Sequence, residues 1–214
     1  MSSTEIDETV AELLDRAGRT YADEAGITLK NTPSPLFELL VLSLLLSTRI
    51  SAGIAVAAAR ELFSSGYRTP QTMADASWQD LVDALGRAHY KRYDESTATR
   101  LGEAARKVLD DYHADLRELA ERGDHDPEQV ADLLQEFTGI GPVGADIFLR
   151  EVQSVWTWAA PRFDERALRG AEELGLPTDP DQLAALAGGR PELLAAALVR
   201  ASLDDDLVAD LRSR

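Results

Sequence analysis

The chain has 214 residues, 44% of them hydrophobic and 28% charged, a composition typical of a soluble protein with one domain or two small lobes. It contains no cysteine, which excludes disulfides, thiolate zinc sites and iron–sulfur clusters. The net charge of -16 creates a field that repels polyanions, so composition alone argues against nucleic-acid binding.

Helical periodicity runs through almost the whole chain, and no stretch alternates in the manner of a strand, so we predict an all-α fold. The predicted helices are, in chain order, 4–19, 35–47, 52–65, 77–85, 91–120, 127–137, 142–153, 164–175, 180–187 and 191–201. We interpret the acidic stretch from Asp204 to Asp206 as a solvated turn.

Neither the longest apolar run nor the N-terminal segment predicts an association with a membrane. The longest apolar run, from Leu36 to Leu46, is about half the length needed to span a bilayer. The N-terminal segment is acidic and amphipathic, whereas a secretory signal begins basic and continues as an unbroken apolar stretch. We therefore expect a cytoplasmic protein without a membrane partner.

The segment from Leu133 to Leu149 predicts two apolar helices joined by a glycine turn. Gly139 and Gly141 allow positive φ and leave room for a ligand at the backbone, while Ile140 anchors the turn in the core. N–H groups between Gly139 and Gly144, at the positive end of the second helix, can bind a phosphate without a basic side chain. The alternative is a plain helical hairpin, which is common in all-α proteins.

Three motifs carry a family resemblance: Ser34 to Arg49, Thr138 to Ala145, and Phe163 to Arg169. In order and spacing they resemble PFELL…LLSAQ, LPGVGRKTA and VDTHxxR of endonuclease III-like enzymes in the helix-hairpin-helix (HhH-GPD) DNA glycosylase superfamily. The resemblance spans about residues 34–176 and implies a two-lobed helical glycosylase fold. It places a central lobe at 34–163, with the helix-hairpin-helix at about 127–153, and a second lobe at 1–33 plus 164–214.

The resemblance assigns catalysis to Asp164, as the carboxylate that stabilises the sugar cation or activates the nucleophile. Its alternative role is a helix N-cap. Val143 stands where bifunctional members have the lysine that forms a Schiff base, and a valine has no nucleophilic group. We therefore expect a monofunctional hydrolytic enzyme without β-lyase activity. Arg166 replaces the family's histidine, and Gly144 replaces its threonine.

Two further segments are expected to contact DNA beside the hairpin. Arg49 takes the place of a glutamine that fills the gap left by an extruded base, although a helix-end cation is the alternative. Gly86 to Tyr93 resembles the family's wedge loop and is the one basic and aromatic cluster in the chain. The residues predicted to bind DNA are Gly139, Ile140, Gly141, Val143, Gly144, Arg49, Arg87, His89, Tyr90 and Lys91. Solvated cations at a helix start are the alternative for the wedge segment.

Three aromatic residues, Trp156, Trp158 and Phe163, lie between the hairpin and Asp164. They are candidates for a pocket that binds an electron-poor alkylated base, with core packing as the alternative.

The predicted function is base-excision repair of double-stranded DNA that contains a damaged base, by a monofunctional DNA glycosylase. The alternatives are a non-catalytic descendant that binds DNA or a protein, and an all-α interaction module that only shares the fold. We expect no catalytic metal and no cofactor; a monovalent cation, Na⁺ or K⁺, at the turn from Gly139 to Gly141 would be structural.

Overall fold

A computed structural model of the chain describes residues 2–213. Its helices are α1 (Ser3–Ala17), α2 (Tyr21–Glu24), α3 (Pro33–Leu46), α4 (Ala52–Ser64), α5 (Pro70–Asp75), α6 (Trp78–Arg87), α7 (Asp94–Tyr112), α8 (Arg117–Arg122), α9 (Pro127–Gln135), α10 (Pro142–Val152), α11 (Glu165–Leu174), α12 (Pro180–Leu186), α13 (Pro191–Ala201) and α14 (Asp205–Arg212). A 3-10 turn, Thr157–Ala159, precedes α11. Residues 2–213 contain no β-strand, so the all-α prediction is confirmed. None of the helices in this range is both long and apolar enough for a membrane span.

Two parts of the predicted helix pattern are wrong. The single helix expected at 91–120 is interrupted, because His113 and Ala114 have positive φ values of 49° and 64° and end α7 in a left-handed turn. The acidic stretch expected as a turn instead begins α14, since the Asp204 side chain accepts a hydrogen bond from the Leu207 N–H. The short helices α2 and α5 were not predicted either.

The chain divides into two compact units, which we call unit 1 (Met1–Tyr21 with Arg150–Arg214) and unit 2 (Ala22–Leu149). The sequence placed the second lobe's main boundary after residue 163, whereas unit 1 already begins at Arg150. Hydrogen bonds explain the earlier boundary. The Gln153 amide binds the backbone of Arg162 in both directions, at 2.9 and 3.0 Å, so that the whole segment from 150 belongs with Asp164.

Unit 1 is organised around α13, in which the residues from Leu194 to Val199 are buried. Helices α1 and α11 both pack on α13. The contact with α11 is a close backbone approach, because a Cβ atom on Gly170 would lie only 2.0 Å from the Leu198 carbonyl oxygen. Glycine is therefore required where α11 crosses α13.

Unit 2 is organised around α3, which is buried from Leu36 to Leu45 and apolar on all sides. Helices α4 and α7 pack on α3, and α6 contacts both of them. Helix α5 packs on α7, and α8 packs on α9. The end of α3 at Leu46 leads directly into the residues that contact the hairpin, so the most buried helix of unit 2 fixes their position.

One carboxylate lies inside this apolar helix. Glu38 is 4% exposed and forms a salt bridge of 3.0 Å with Arg68, and it also accepts a hydrogen bond from Ser34 at 3.2 Å. Burial raises the pKa of Glu38 above its ordinary value, while Arg68 and Ser34 act in the opposite direction. The charged form of Glu38 is therefore disfavoured by folding.

We expect Glu38→Gln to remove a pH dependence of stability. The folded protein keeps the Glu38 proton to a higher pH than the unfolded chain does, in which the pKa of a glutamate is about 4.3. The contribution of Glu38 to the free energy of unfolding is therefore fully present below the pKa of the unfolded chain. It is lost as pH rises through the raised pKa of the folded protein. Denaturant unfolding across this range should show wild type losing stability relative to Glu38→Gln as pH rises. Glu95→Gln, at an exposed position of α7, is the control. A wild-type advantage over Glu38→Gln that grows with pH would contradict the argument.

Candidate nucleic-acid interface

The hairpin consists of α9, a turn from Glu136 to Gly141, and α10. Gly139 has φ +95° and is exposed, so the turn requires a residue without a Cβ atom at this position. Ile140 is only 4% exposed and anchors the turn in unit 2. Gly141 differs from the expectation, because its φ is not positive; a Cβ atom there would meet nothing within 4 Å. The space above Gly141 is open to a ligand.

The first turn of α10 lies directly against the end of α3. A Cβ atom on Gly144 would be 2.3 Å from the Ser47 hydroxyl oxygen and 3.1 Å from a methyl carbon of Ile140. Gly144 is therefore a position of close approach. A threonine, which stands at this position in the motif LPGVGRKTA, would clash with Ser47 here. Because Arg49 follows Ser47 by two residues and is exposed, the structure brings the Arg49 segment beside the hairpin.

Tyr90 connects the predicted wedge segment to the same place. Its side chain is completely buried, and its hydroxyl lies 2.6 Å from the Thr48 hydroxyl and accepts a longer hydrogen bond from Thr97. The prediction that Tyr90 binds DNA does not agree with its burial, because its ring lies in the core and its hydroxyl is engaged by Thr48. Tyr90 instead holds the residues around Thr48 against the wedge segment.

The other wedge residues differ in how their charges are used. Arg87 donates to Glu61 at 2.5 Å and to the Ser65 hydroxyl at 3.0 Å, and the hydrogen bond to Glu61 raises the pKa of Arg87. Its charge is thus already engaged within unit 2. His89 is exposed with φ +60°, and Lys91 is exposed. Of these three residues, His89 and Lys91 present a side chain that a ligand can reach without displacing a partner.

Some basic side chains of unit 2 have no ion-pair partner among the described residues. Across residues 2–213, many basic side chains are held by carboxylates, for example Arg68 by Glu38 and Arg117 by Asp115. Arg49, Lys91 and Arg100 form no ion pair or side-chain hydrogen bond with the described residues. In a chain of net charge -16, these unpaired cations are the groups available to a polyanion.

Arg100 was not found from the sequence. It lies on α7, and its Cδ atom would be 2.7 Å from a Cβ atom placed on Gly139. An arginine in a long charged helix has no sequence signal that distinguishes it from a solvated one. Only the packing of α7 against the hairpin identifies it.

The carboxylate assigned to catalysis belongs to unit 1 and is held on both oxygens. Asp164 is the N-cap of α11, where one oxygen accepts from the Ala167 N–H at 3.0 Å. The other oxygen accepts a hydrogen bond from Arg150. Both side chains are buried, with Asp164 at 8% and Arg150 at 2% exposed. Asp164 is therefore a fixed, charge-paired carboxylate, and the N-cap role is present in the structure.

Arg150 is the second residue that sequence reasoning missed. Its guanidinium also approaches Glu151, with its Nε 3.8 Å from a carboxylate oxygen, and lies 6.0 Å from the centre of the Tyr21 ring. A sequence signal for its burial does exist, because Arg150 directly follows the apolar Ile147-Phe148-Leu149 of α10 and so continues a buried stretch. A buried arginine of this kind needs a carboxylate partner.

The candidate base-pocket residues lie in unit 1. Trp156 is 2% and Phe163 is 6% exposed, so both are packed in the interior. Trp158 is partly exposed and stacks on Trp156 with ring centres 5.2 Å apart. The packing role favours the core alternative for Trp156 and Phe163, and it leaves Trp158 as the residue of the three with an accessible ring.

We expect Arg150→Met to lower the free energy of unfolding by about 3–5 kcal/mol, because it leaves the Asp164 carboxylate buried without its cation. The double variant Arg150→Met/Asp164→Asn should recover most of that loss, since asparagine is neutral and still caps α11. Denaturant unfolding of the wild type, both single variants and the double variant measures the coupling. Strictly additive losses would show that the two side chains do not interact.

No family model matches the chain, and no curated protein does. A solved structure of a trapped endonuclease III–DNA covalent intermediate, an estranged-adenine complex, does match. It is 16% identical to this chain, with 90% of this chain and 84% of that chain covered and a TM-score of 0.50. The chain therefore has the all-α endonuclease III fold that its motifs predict.

Proposed function

We propose that this protein binds double-stranded DNA through the hairpin face of unit 2 and removes a damaged base as a monofunctional DNA glycosylase in base-excision repair. The observation that carries the proposal is the convergence of three segments: the hairpin, the residues around Arg49 and the wedge segment. Gly144 contacts Ser47, and Tyr90 contacts Thr48, so the contacts are direct.

This face fits a nucleic-acid backbone. The space at Gly141, directly before α10, is open, and a helix N-terminus favours a phosphate. Unpaired cations at Arg49 and Lys91 add positive charge beside it. The resemblance also implies a structural monovalent cation at the Gly139 turn. The similar solved structure is itself a complex with DNA, which agrees with this assignment.

The chemistry proposed is hydrolysis without strand cleavage. Val143, at the position of the lyase lysine, is 53% exposed and offers no amine for a Schiff base. The oxygen of a water molecule bonds to the sugar carbon, the base leaves with the electrons of the glycosidic bond, and the proton that the water loses passes through solvent to the departed base. Asp164 contributes fixed negative charge while positive charge develops on the sugar. Since both of its oxygens already accept hydrogen bonds, this electrostatic role fits better than abstraction of a proton from water.

One observation favours a second candidate, a non-catalytic DNA-binding protein. The Arg150 guanidinium neutralises the Asp164 carboxylate within unit 1, which weakens the field that the carboxylate offers to a sugar cation. Under this alternative the pair stabilises unit 1, and the hairpin face still binds DNA.

Base release distinguishes the two. Duplexes that contain alkylated purines, uracil or oxidised pyrimidines are incubated with the protein and then heated in alkali to cut at abasic sites. We expect release from at least one duplex, no borohydride-trapped adduct, and a loss of about 10²-fold or more in Asp164→Asn. Circular dichroism verifies that this variant folds, since asparagine keeps the N-cap.

The remaining outcomes are decided by binding to the same duplexes at several salt concentrations. Salt-dependent binding without release from any duplex would assign the non-catalytic function. Binding that is absent at every salt concentration would overturn DNA as the ligand and leave an interaction module with this fold. A trapped adduct would contradict the monofunctional assignment, because it requires an amine nucleophile.

A further inference from the structure

The hairpin turn is covered on one side by a side chain from another helix. Arg100 of α7 extends across Gly139, with its Cδ, Nε and Cγ atoms 2.7, 3.3 and 3.6 Å from the position of a Cβ atom on that glycine. Both residues belong to unit 2. Gly139 is thus constrained twice, by its φ of +95° and by the arginine that occupies the space of a side chain.

The charge of Arg100 is not used within the protein. Glu103 lies one turn further along α7, at a spacing that commonly forms an ion pair, and it is exposed. Arg100 forms no ion pair with it, nor a side-chain hydrogen bond with another described residue. The aliphatic part of the side chain packs on the turn and leaves the guanidinium beside the hairpin without a carboxylate.

We propose that Arg100 binds a backbone phosphate of the DNA at the hairpin and provides the side-chain cation that the glycine turn itself lacks. The inference rests on the proposed DNA binding and adds a residue to it. A guanidinium pairs with two phosphate oxygens at once, which the backbone N–H groups of a single turn complement. Charge at this point acts within about 8 Å at physiological salt, so it offsets the repulsion of an acidic chain where the phosphate lies.

Arg106 provides a matched control on the same helix. It is exposed and forms no ion pair with the described residues, but its guanidinium lies against Gly102 of its own helix, 3.1 Å from the position of a Cβ atom. Arg100→Ala and Arg106→Ala change the net charge equally. A difference between them therefore reports position and not overall charge.

The experiment measures the affinity for a fluorescently labelled duplex by anisotropy between about 50 and 200 mM salt. Arg100→Ala should weaken binding several-fold and reduce the slope of log K against log salt by about 1, while Arg106→Ala keeps the wild-type slope. Arg100→Lys, which keeps the charge and loses the bidentate geometry, should recover most of the slope and part of the affinity. Thermal unfolding of each variant verifies the fold.

Equal slopes for wild type and Arg100→Ala, or equal losses in the two alanine variants, would overturn the assignment while the proposed DNA binding stands. Absence of salt-dependent binding by wild type would overturn the proposed function itself. Inorganic phosphate at constant ionic strength separates the two sources of phosphate. If phosphate binds to wild type but not to Arg100→Ala, while both bind the duplex equally and with the same salt slope, the residue binds free phosphate and the DNA assignment is wrong.

Discussion

The arrangement of unit 2 depends on two positions where the hairpin has no side chain to keep its neighbours away. At Gly144 the hydroxyl of Ser47 approaches the backbone of α10, and at Gly139 the stem of Arg100 lies across the turn. Each contact occupies volume that a Cβ atom would fill. Because protein interiors are closely packed, such contacts fix the position of the hairpin relative to Ser47 and Arg100 more firmly than an exposed turn of the same length would. The buried helix α3 then transmits this constraint to the residues that follow it.

Charge is arranged around this constraint. An acidic chain gains solubility but repels DNA, and the repulsion is general whereas the attraction has to be local. Several basic residues, such as Arg117, are matched by carboxylates, so they contribute little net field. Near the hairpin, Arg49, Lys91 and Arg100 are left without such partners. Arg49 and Arg100 therefore supply local positive charge beside the hairpin despite the net charge of -16.

The sequence predicted the fold class and the hairpin because both follow from local patterns, the helical period and a glycine turn before Pro142. It failed where tertiary contacts decide. Tyr90 looked like an exposed aromatic residue in a basic loop, yet its ring fills the core and its hydroxyl binds Thr48. The pairs Arg150–Asp164 and Arg100–Gly139 join residues on different elements, which no periodicity within one element reveals. The end of α7 at the left-handed residue His113 was missed as well, because no glycine or proline at this point of the sequence predicts it.

The Arg150–Asp164 pair couples the stability of unit 1 to any chemistry at Asp164. A buried ion pair contributes little net stability, but removal of one partner leaves an uncompensated charge. Asp164→Asn therefore removes the carboxylate and also leaves buried Arg150 with only the more distant carboxylate of Glu151 as a counter-charge. Arg150→Met has the opposite effect on the field, because it exposes the full negative charge of Asp164 to its surroundings. If the carboxylate acts by electrostatic stabilisation, Arg150 lowers its effect, and a variant without the arginine releases the base faster even though it is less stable. If the pair is only structural, activity follows stability in both variants.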